Sequence, residues 1–291
     1  GLTPLISRRG GLAGDFTVTL IAQDEYWIFG SGMAERYHKR FFDSVPLPEG
    51  VRFDSRTEAV CGFNLAGPLS RKILQRLTNT SLNNEDFQFM RSKCADLAGI
   101  DVKMLRVSFT GDLGWEVHCN TADQKALYTA LLETGKEFGV GPVGSRALMA
   151  MRLEKGYGSW SREYSPEYWP HEQGMDRLCK MDKGFLNKAA LQAVLAQEPR
   201  EQMVLLHLNE AAVTASNADA TGGEPVFKDG NGVGRVTSGA YGYSVGLSLA
   251  LAMVKDVGPG DEVEVMVLGQ PHKAKILHQP PFDPTGKKLR A

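Results

Sequence analysis

The chain has 291 residues, and its 34 acidic side chains nearly offset its 33 basic ones, so a formal charge of −1 offers no general field for a nucleic acid. Charged residues at 23 % and apolar residues at 42 % match an ordinary globular mix and argue against disorder or a coiled coil. The longest mostly apolar stretch, Val245 to Val254, falls well short of the ~20 residues of a spanning helix, so no membrane association is expected.

Phe16, Val18 and Leu20 alternate with Thr17, Thr19 and Ile21, and a second β-rich run covers Tyr26 to Phe29. The two read as a hairpin. Ser31 stands as the N-cap of a helix with Met33, Tyr37 and Phe41 at four-residue spacing, a stripe expected to face the core, ending before Pro46. Residues 58–65 resume strand character, and Gly67-Pro68 opens a helix with Ile73, Leu74 and Leu77 on one face. Two or three strands are expected between Arg91 and Cys119. Thr121 and Gln124 have the spacing of a capping box before a helix bearing Leu127, Leu131 and Phe138, with Gly139 as its stop. Further helices are expected from Ser145 to Glu154 and from Asn187 through Leu195, with an aromatic, irregular stretch between them. After Glu198-Pro199-Arg200, short β runs at 202–208, 233–238, 247–254, 261–268 and 272–278 alternate with glycine-rich turns. That spacing predicts a small antiparallel barrel or sandwich and a domain boundary near residue 199.

Several chemistries lack their motifs. Cys61, Cys94, Cys119 and Cys179 form no C-x-x-C pair, and they read as buried or idle thiols of a reducing compartment rather than a disulfide framework. There is no H-E-x-x-H, no G-x-S-x-G elbow and no Walker sequence. Gly30-Ser31-Gly32 and Gly230-Asn231-Gly232-Val233-Gly234 stop short of a dinucleotide fingerprint and read as turns.

Three segments are candidates for a site. In Gly10-Gly11-Leu12-Ala13-Gly14-Asp15-Phe16-Thr17, glycines permit close backbone approach, and Asp15 opens an apolar strand where burial tunes a carboxylate for handling protons or positive charge. The alternative is a turn whose Asp satisfies nearby N–H groups. In Ser108-Phe109-Thr110-Gly111-Asp112-Leu113-Gly114-Trp115-Glu116-Val117-His118, Glu116 is either an inward strand carboxylate needing a ligand with paired N–H donors, or a solvent-facing edge residue. Trp115 and Phe109 read as core. Arg152-Leu153-Glu154-Lys155-Gly156-Tyr157 precedes Trp160, Tyr164, Tyr168 and Trp169, which either line a pocket for a flat ring or cement a loop to the body. Arg146, Arg152, Arg162 and Arg177 could meet an anionic tail there, although unpartnered surface arginine is the commoner case.

Together these segments resemble the folate-dependent aminomethyltransferase family: the glycine cleavage T protein and, more closely, the C-terminal half of dimethylglycine and sarcosine dehydrogenases. The similarity runs over nearly the whole chain, through the glycine run to Val18, Asn64-Leu65-Ala66-Gly67-Pro68, the segment ending at Glu116, Arg152 to Gly156, Gly232 to Gly239 and Pro281-Phe282-Asp283-Pro284. It implies an α+β fold, with a T-protein-like folate-binding domain over residues 1–199 and a small antiparallel β-barrel over 200–291. The family's first segment, several dozen residues with the opening strands, is expected to lie outside this sequence.

The implied activity is transfer of a one-carbon unit from an N-methylated or aminomethyl amine to tetrahydrofolate, beside a flavin dehydrogenase domain or subunit that would supply any FAD. Asp15 matches the aspartate beside the reacting folate nitrogens and Glu116 the residue that grips the pterin. Phe16, Thr17, Val117 and His118 flank them, and Phe109 and Arg177 stand where the family packs a Tyr and another aromatic around the folate. Gly14 follows the dehydrogenase branch, whereas the T protein often has a second acidic residue there, and Leu148 replaces a T-protein arginine. The resemblance leaves two alternatives: a non-catalytic regulatory or structural member of the fold, or a demethylase of another methyl donor. A cytoplasmic location, or the mitochondrial matrix in a eukaryote, is the expectation.

Overall fold

The computed structural model describes residues 1–209 and 218–291. The expected hairpin is present and longer than its periodicity indicated: β1 (Leu2–Ile6), β2 (Leu12–Ala22) and β3 (Glu25–Phe29) form a three-stranded antiparallel sheet. β1 went unforeseen because Pro4 interrupts its short alternation, and Pro fits such an edge strand because no ladder bond is asked of its nitrogen. The glycines before β2 do permit close approach. A Cβ at Gly10 would lie 2.5 Å from the Ala190 carbonyl oxygen, and one at Gly11 would lie 3.2 Å from that of Pro166.

α1 (Glu35–Asp43) follows a short 3-10 turn, and its buried face differs from the expected stripe. Met33 is 95 % exposed and Tyr37 44 % exposed, whereas Ala34 and His38 are buried, and Phe42 packs on Phe16 with ring centroids 5.7 Å apart. A histidine takes the position where an apolar residue would have marked the face, so the periodicity pointed one residue off. Ser31 makes no capping bond.

A second sheet, in the order β4-β7-β6-β5, is built from β4 (Val60–Ala66), β5 (Ser92–Leu97), β6 (Ile100–Leu105) and β7 (Gly114–Asn120). One face carries Val102, Met104, Trp115, Val117 and Cys119 into a core shared with α2 (Ser70–Gln75) and α3 (Gln124–Gly135). Trp115 belongs to the core, as expected, and its indole N–H donates to Ser70 Oγ at 3.1 Å. The expected capping box is absent: Thr121 instead donates its hydroxyl to the Glu58 carbonyl, and a 3-10 turn precedes α3. Gly139, at φ 72°, closes the helical segment after α3.

After α4 (Ser145–Glu154) and α5 (Lys188–Leu195), six strands close an antiparallel barrel: β8 (Gln202–Leu208), β9 (Pro225–Lys228), β10 (Asn231–Gly242), β11 (Leu247–Val254), β12 (Glu262–Val267) and β13 (Gln270–Ile276), in the order β10-β11-β8-β13-β12-β9. β9 is too short to show a period. Its turn into β10 puts Asp229 at φ 49° and Gly230 at φ 77°, the left-handed pair that two-residue hairpins favour. No described helix is long and apolar enough to cross a membrane.

The Arg152 to Gly156 segment joins these parts. Arg152 is 1 % exposed; it pairs with the fully buried Glu163 at 2.8 Å and donates to Ser238 Oγ on β10 at 2.6 Å. Thr237 donates to the other Glu163 oxygen at 2.7 Å. Leu153 enters an apolar cluster on the barrel, Glu154 accepts from the Ser244 N–H at 2.7 Å, and Lys155 pairs with Asp283 at 3.3 Å. Arg152 is therefore a buried structural cation, not an arm for an anionic ligand. Removing one member of a buried pair costs about 3–5 kcal/mol because the other stays charged without a partner. Glu163→Ala is expected to lose about that much stability, read from the urea midpoint at unchanged m-value, while Glu167→Ala, at an exposed pair with Arg235, loses about 1 kcal/mol or less.

Candidate functional site

In a strand, residues two apart share a face, as do partners directly opposite each other. Asp15 therefore shares a face with Thr17, and Thr17 with Phe29, its partner on β3. In the second sheet, Glu116, His118 and Lys103, the partner of His118 on β6, share a face by the same rule. Two contacts press these faces together: the Phe29 ring stacks on His118 with centroids 4.5 Å apart, and Lys103 Nζ lies 4.6 Å from the centre of the Trp27 ring. Asp15 and Glu116, about a hundred residues apart in sequence, thus belong to two sheet faces that meet.

Among the described residues, both carboxylates lack strong protein partners. Burial pushes the Asp15 carboxyl up to about 6, with only a hydrogen bond from its own backbone amide pulling the other way. Glu116 is 28 % exposed, with His118 Nε2 3.5 Å from its Oε2, and no described residue hydrogen-bonds its carboxylate. Its oxygens are free for donors brought by a ligand. Gly62 makes room for His118, since a Cβ there would sit 2.5 Å from Nδ1.

The other expected residues divide. Phe16 lies on the opposite face of the first sheet, against His38 at 4.8 Å, and Gly14 accommodates it, because a Cβ at 14 would meet its ring at 2.8 Å. An acidic side chain at position 14 would not fit over that ring. Val117 is corrected: its side chain is fully buried in the core on the face away from Glu116, as strand alternation requires, so only its backbone remains for a ligand. Phe109 is half-buried in the loop between β6 and β7. Arg177 is exposed on a 3-10 turn, its Nε donating to the Gly174 carbonyl at 3.1 Å.

Tyr164 was legible only as one aromatic among several. Burial pushes its hydroxyl up to about 12; the charges of Asp15 and Glu163 add to this, while the Gly158 backbone and Arg177 oppose it. Its hydroxyl therefore lies within Coulombic reach of both Asp15 and Arg177. The neighbouring aromatics cement the segment to the body: Trp160 meets His38 at 4.7 Å, and Arg200 lies 4.2 Å over Trp169. A cleft of about 810 Å³ opens between α1 and the two sheets. Phe16, Phe29 and His118 line it, but neither Asp15 nor Glu116 does.

The comparisons agree with this architecture. Residues 1–183 match the GCVT N-terminal domain model and residues 202–283 the glycine cleavage T-protein C-terminal barrel domain model. Dimethylglycine dehydrogenase of Mus musculus is 31 % identical over 287 residues, covering 96 % of this chain and 32 % of that protein; the chain thus spans about a third of its length. A probable aminomethyltransferase of Thermococcus kodakarensis is 27 % identical over 316 residues, covering 97 % of this chain and 77 % of that protein. The crystal structure of glycine cleavage system aminomethyltransferase T from Bartonella henselae superposes with a TM-score of 0.78 at 22 % identity, covering 97 % of this chain and 76 % of that one.

The Asp15 environment sets a sign. A carboxyl held at about 6 when folded and near 4 when unfolded binds more protons in the native state between those values, so its contribution lowers stability as pH rises from 4 to 6 and is constant above. Asp15→Asn is expected to match the parent at pH 4 and to exceed it by about 2–3 kcal/mol above pH 7 in denaturant midpoints taken across pH. A gap independent of pH would show that Asp15 is hydrated.

Proposed function

Because the chain belongs to the glycine cleavage T-protein family, we propose that it moves a one-carbon unit from an N-methylated amine or aminomethyl donor to tetrahydrofolate. The observation that carries the proposal is the Asp15 carboxyl, held near 6 with no side-chain partner among the described residues, on a sheet face that meets the face of Glu116. Residues 1–199 are read as the folate-binding domain and 200–291 as the barrel that braces it.

The donor set fits the folate. A reduced pterin presents an amide N–H and an exocyclic amine side by side, and the half-buried Glu116 carboxylate, with no described protein donor, can accept both. Phe29 and His118 supply flat walls beside it. Tetrahydrofolate, when bound, supplies the amine nitrogen that takes the carbon. Asp15 would act at the reacting end: its anion stabilises positive charge on the donor nitrogen, and a carboxyl near 6 takes and returns an amine proton at neutral pH. Arg177 and Tyr164 would border that end, with a guanidinium able to lie flat where the family has an aromatic.

The donor side points outside this chain. A dimethylglycine dehydrogenase contains a region like this one as about a third of its length, and we read the amine substrate as coming from a flavin dehydrogenase domain or subunit. The described residues do not fit FAD. Gly30-Ser31-Gly32 lacks the third glycine of a dinucleotide fingerprint, since Glu35 stands there, and Gly230 turns a barrel hairpin, so neither run has the pattern that holds a pyrophosphate. A location in the cytoplasm, or the mitochondrial matrix in a eukaryote, accompanies this reading.

Calorimetry with tetrahydrofolate is expected to show saturable binding by the chain. Glu116→Ala weakens it by about ten- to a hundredfold, the cost of a lost buried charge-assisted partner. Asp15→Asn leaves binding within a few-fold and abolishes formation of methylene-tetrahydrofolate when the donor system is supplied. Absence of saturable binding rejects the site, and turnover untouched by Asp15→Asn moves the chain to a non-catalytic role.

A further inference from the structure

Cys61 on β4 and Cys119 on β7 are direct partners in the antiparallel ladder, with their sulfurs 3.4 Å apart. The Thr121 N–H donates to the Ala59 carbonyl at 3.0 Å in the same register, which places the cysteine pair at a hydrogen-bonded position of the ladder. There the Cα separation is about 5.5 Å, within the usual span of a disulfide. Both side chains point to the face shared with α2 and α3, Cys119 inside the core and Cys61 half-buried at its margin on the edge strand. The other two cysteines have no such neighbour: Cys94 is exposed on β5 opposite Lys103, and the Cys179 sulfur lies 3.8 Å from the Met175 carbonyl oxygen.

We propose that Cys61 and Cys119 are a reversible dithiol site, closed to a cross-strand disulfide by a low-molecular-weight disulfide such as oxidised glutathione. The Cys61 thiolate attacks one sulfur of the oxidant, a protein–glutathione mixed disulfide forms, and one glutathione leaves as thiol. The Cys119 sulfur, after losing its proton, then attacks the Cys61 sulfur and expels the second glutathione. Two protein thiols are oxidised, one disulfide is reduced to two thiols, and the proton count is unchanged. The order follows from access and ionisation. Burial and the adjacent Cys61 push the Cys119 thiol up to about 12, so the half-buried thiol on the edge strand begins the exchange and the core thiol completes it. Closure needs the sulfurs to approach by little more than an ångström, and it locks β4 to β7 one residue from His118.

The purified chain is incubated with oxidised glutathione, quenched in acid and digested without reduction for mass mapping. The expected product joins the Cys61 and Cys119 peptides, disappears on adding a reductant, and forms about tenfold faster per pH unit in the closing step. Cys119→Ser retains glutathione on Cys61, Cys61→Ser leaves Cys119 as free thiol, and a Cys94→Ser, Cys179→Ser double variant still forms the cross-link. The proposal is overturned if the unsubstituted chain holds glutathione on Cys61 without progressing to the cross-link. It is equally overturned if Cys61 and Cys119 both stay free while Cys94 is modified.

Discussion

The Arg152 guanidinium and the Glu163 carboxylate are each almost entirely removed from water, and the junction between the mixed sheet-and-helix part and the barrel is arranged around their pairing. The pair is costly to desolvate, and further hydrogen bonds offset part of that cost: Arg152 donates to the Tyr157 carbonyl and Ser238, and Glu163 accepts from Thr237 and the Ser159 N–H, while Arg152 Nε has no partner among the described residues. These partners come from α4, the aromatic segment and β10. Charge satisfaction at one point thereby sets three elements relative to one another, and Tyr164 follows Glu163 in the chain. Tyr164, whose hydroxyl feels the charge of Asp15, is thus placed beside an interaction within the protein itself.

A second constraint runs the opposite way. Where Arg152 and Glu163 hold each other and several further partners, Asp15 and Glu116 are left short of partners among the described residues, on meeting sheet faces. The Asp15 carboxylate, kept from water without a compensating cation, is unfavourable to the fold, and burial raises its pKa to about 6. That tension is what makes such a group useful. It favours the arrival of N–H donors and positive charge, and it sets an acid close to neutral pH.

Glycine permits both arrangements. Gly14 and Gly30 leave space for the Phe16 ring, Gly62 for His118, and Gly10 for the α5 backbone. Each brings layers closer than a Cβ would allow, and the two sheets and α1 converge around one aromatic and imidazole cluster in consequence.

Much of this was legible along the chain because it depends on near neighbours. The hairpin of β2 and β3, the boundaries of α4 and α5, the Gly139 stop and the run of short barrel strands follow from local periodicity and turn chemistry, and ordered motifs singled out Asp15 and Glu116. The α1 face escaped because its central buried residue is His38, and β1 and β9 because they are too short to show a period. The apparent caps at Ser31 and Thr121 also failed, since a cap depends on backbone direction and not on spacing alone. The roles of Arg152 and Tyr164 and the pairing of Cys61 with Cys119 had no local signal. The amino-acid order by itself determined which segments become strand, helix or turn and which carboxylates stand in chemically suggestive motifs. Which side chains lose water, and which then find a partner, was decided only when distant segments packed, because burial and Coulomb interaction depend on separation in space.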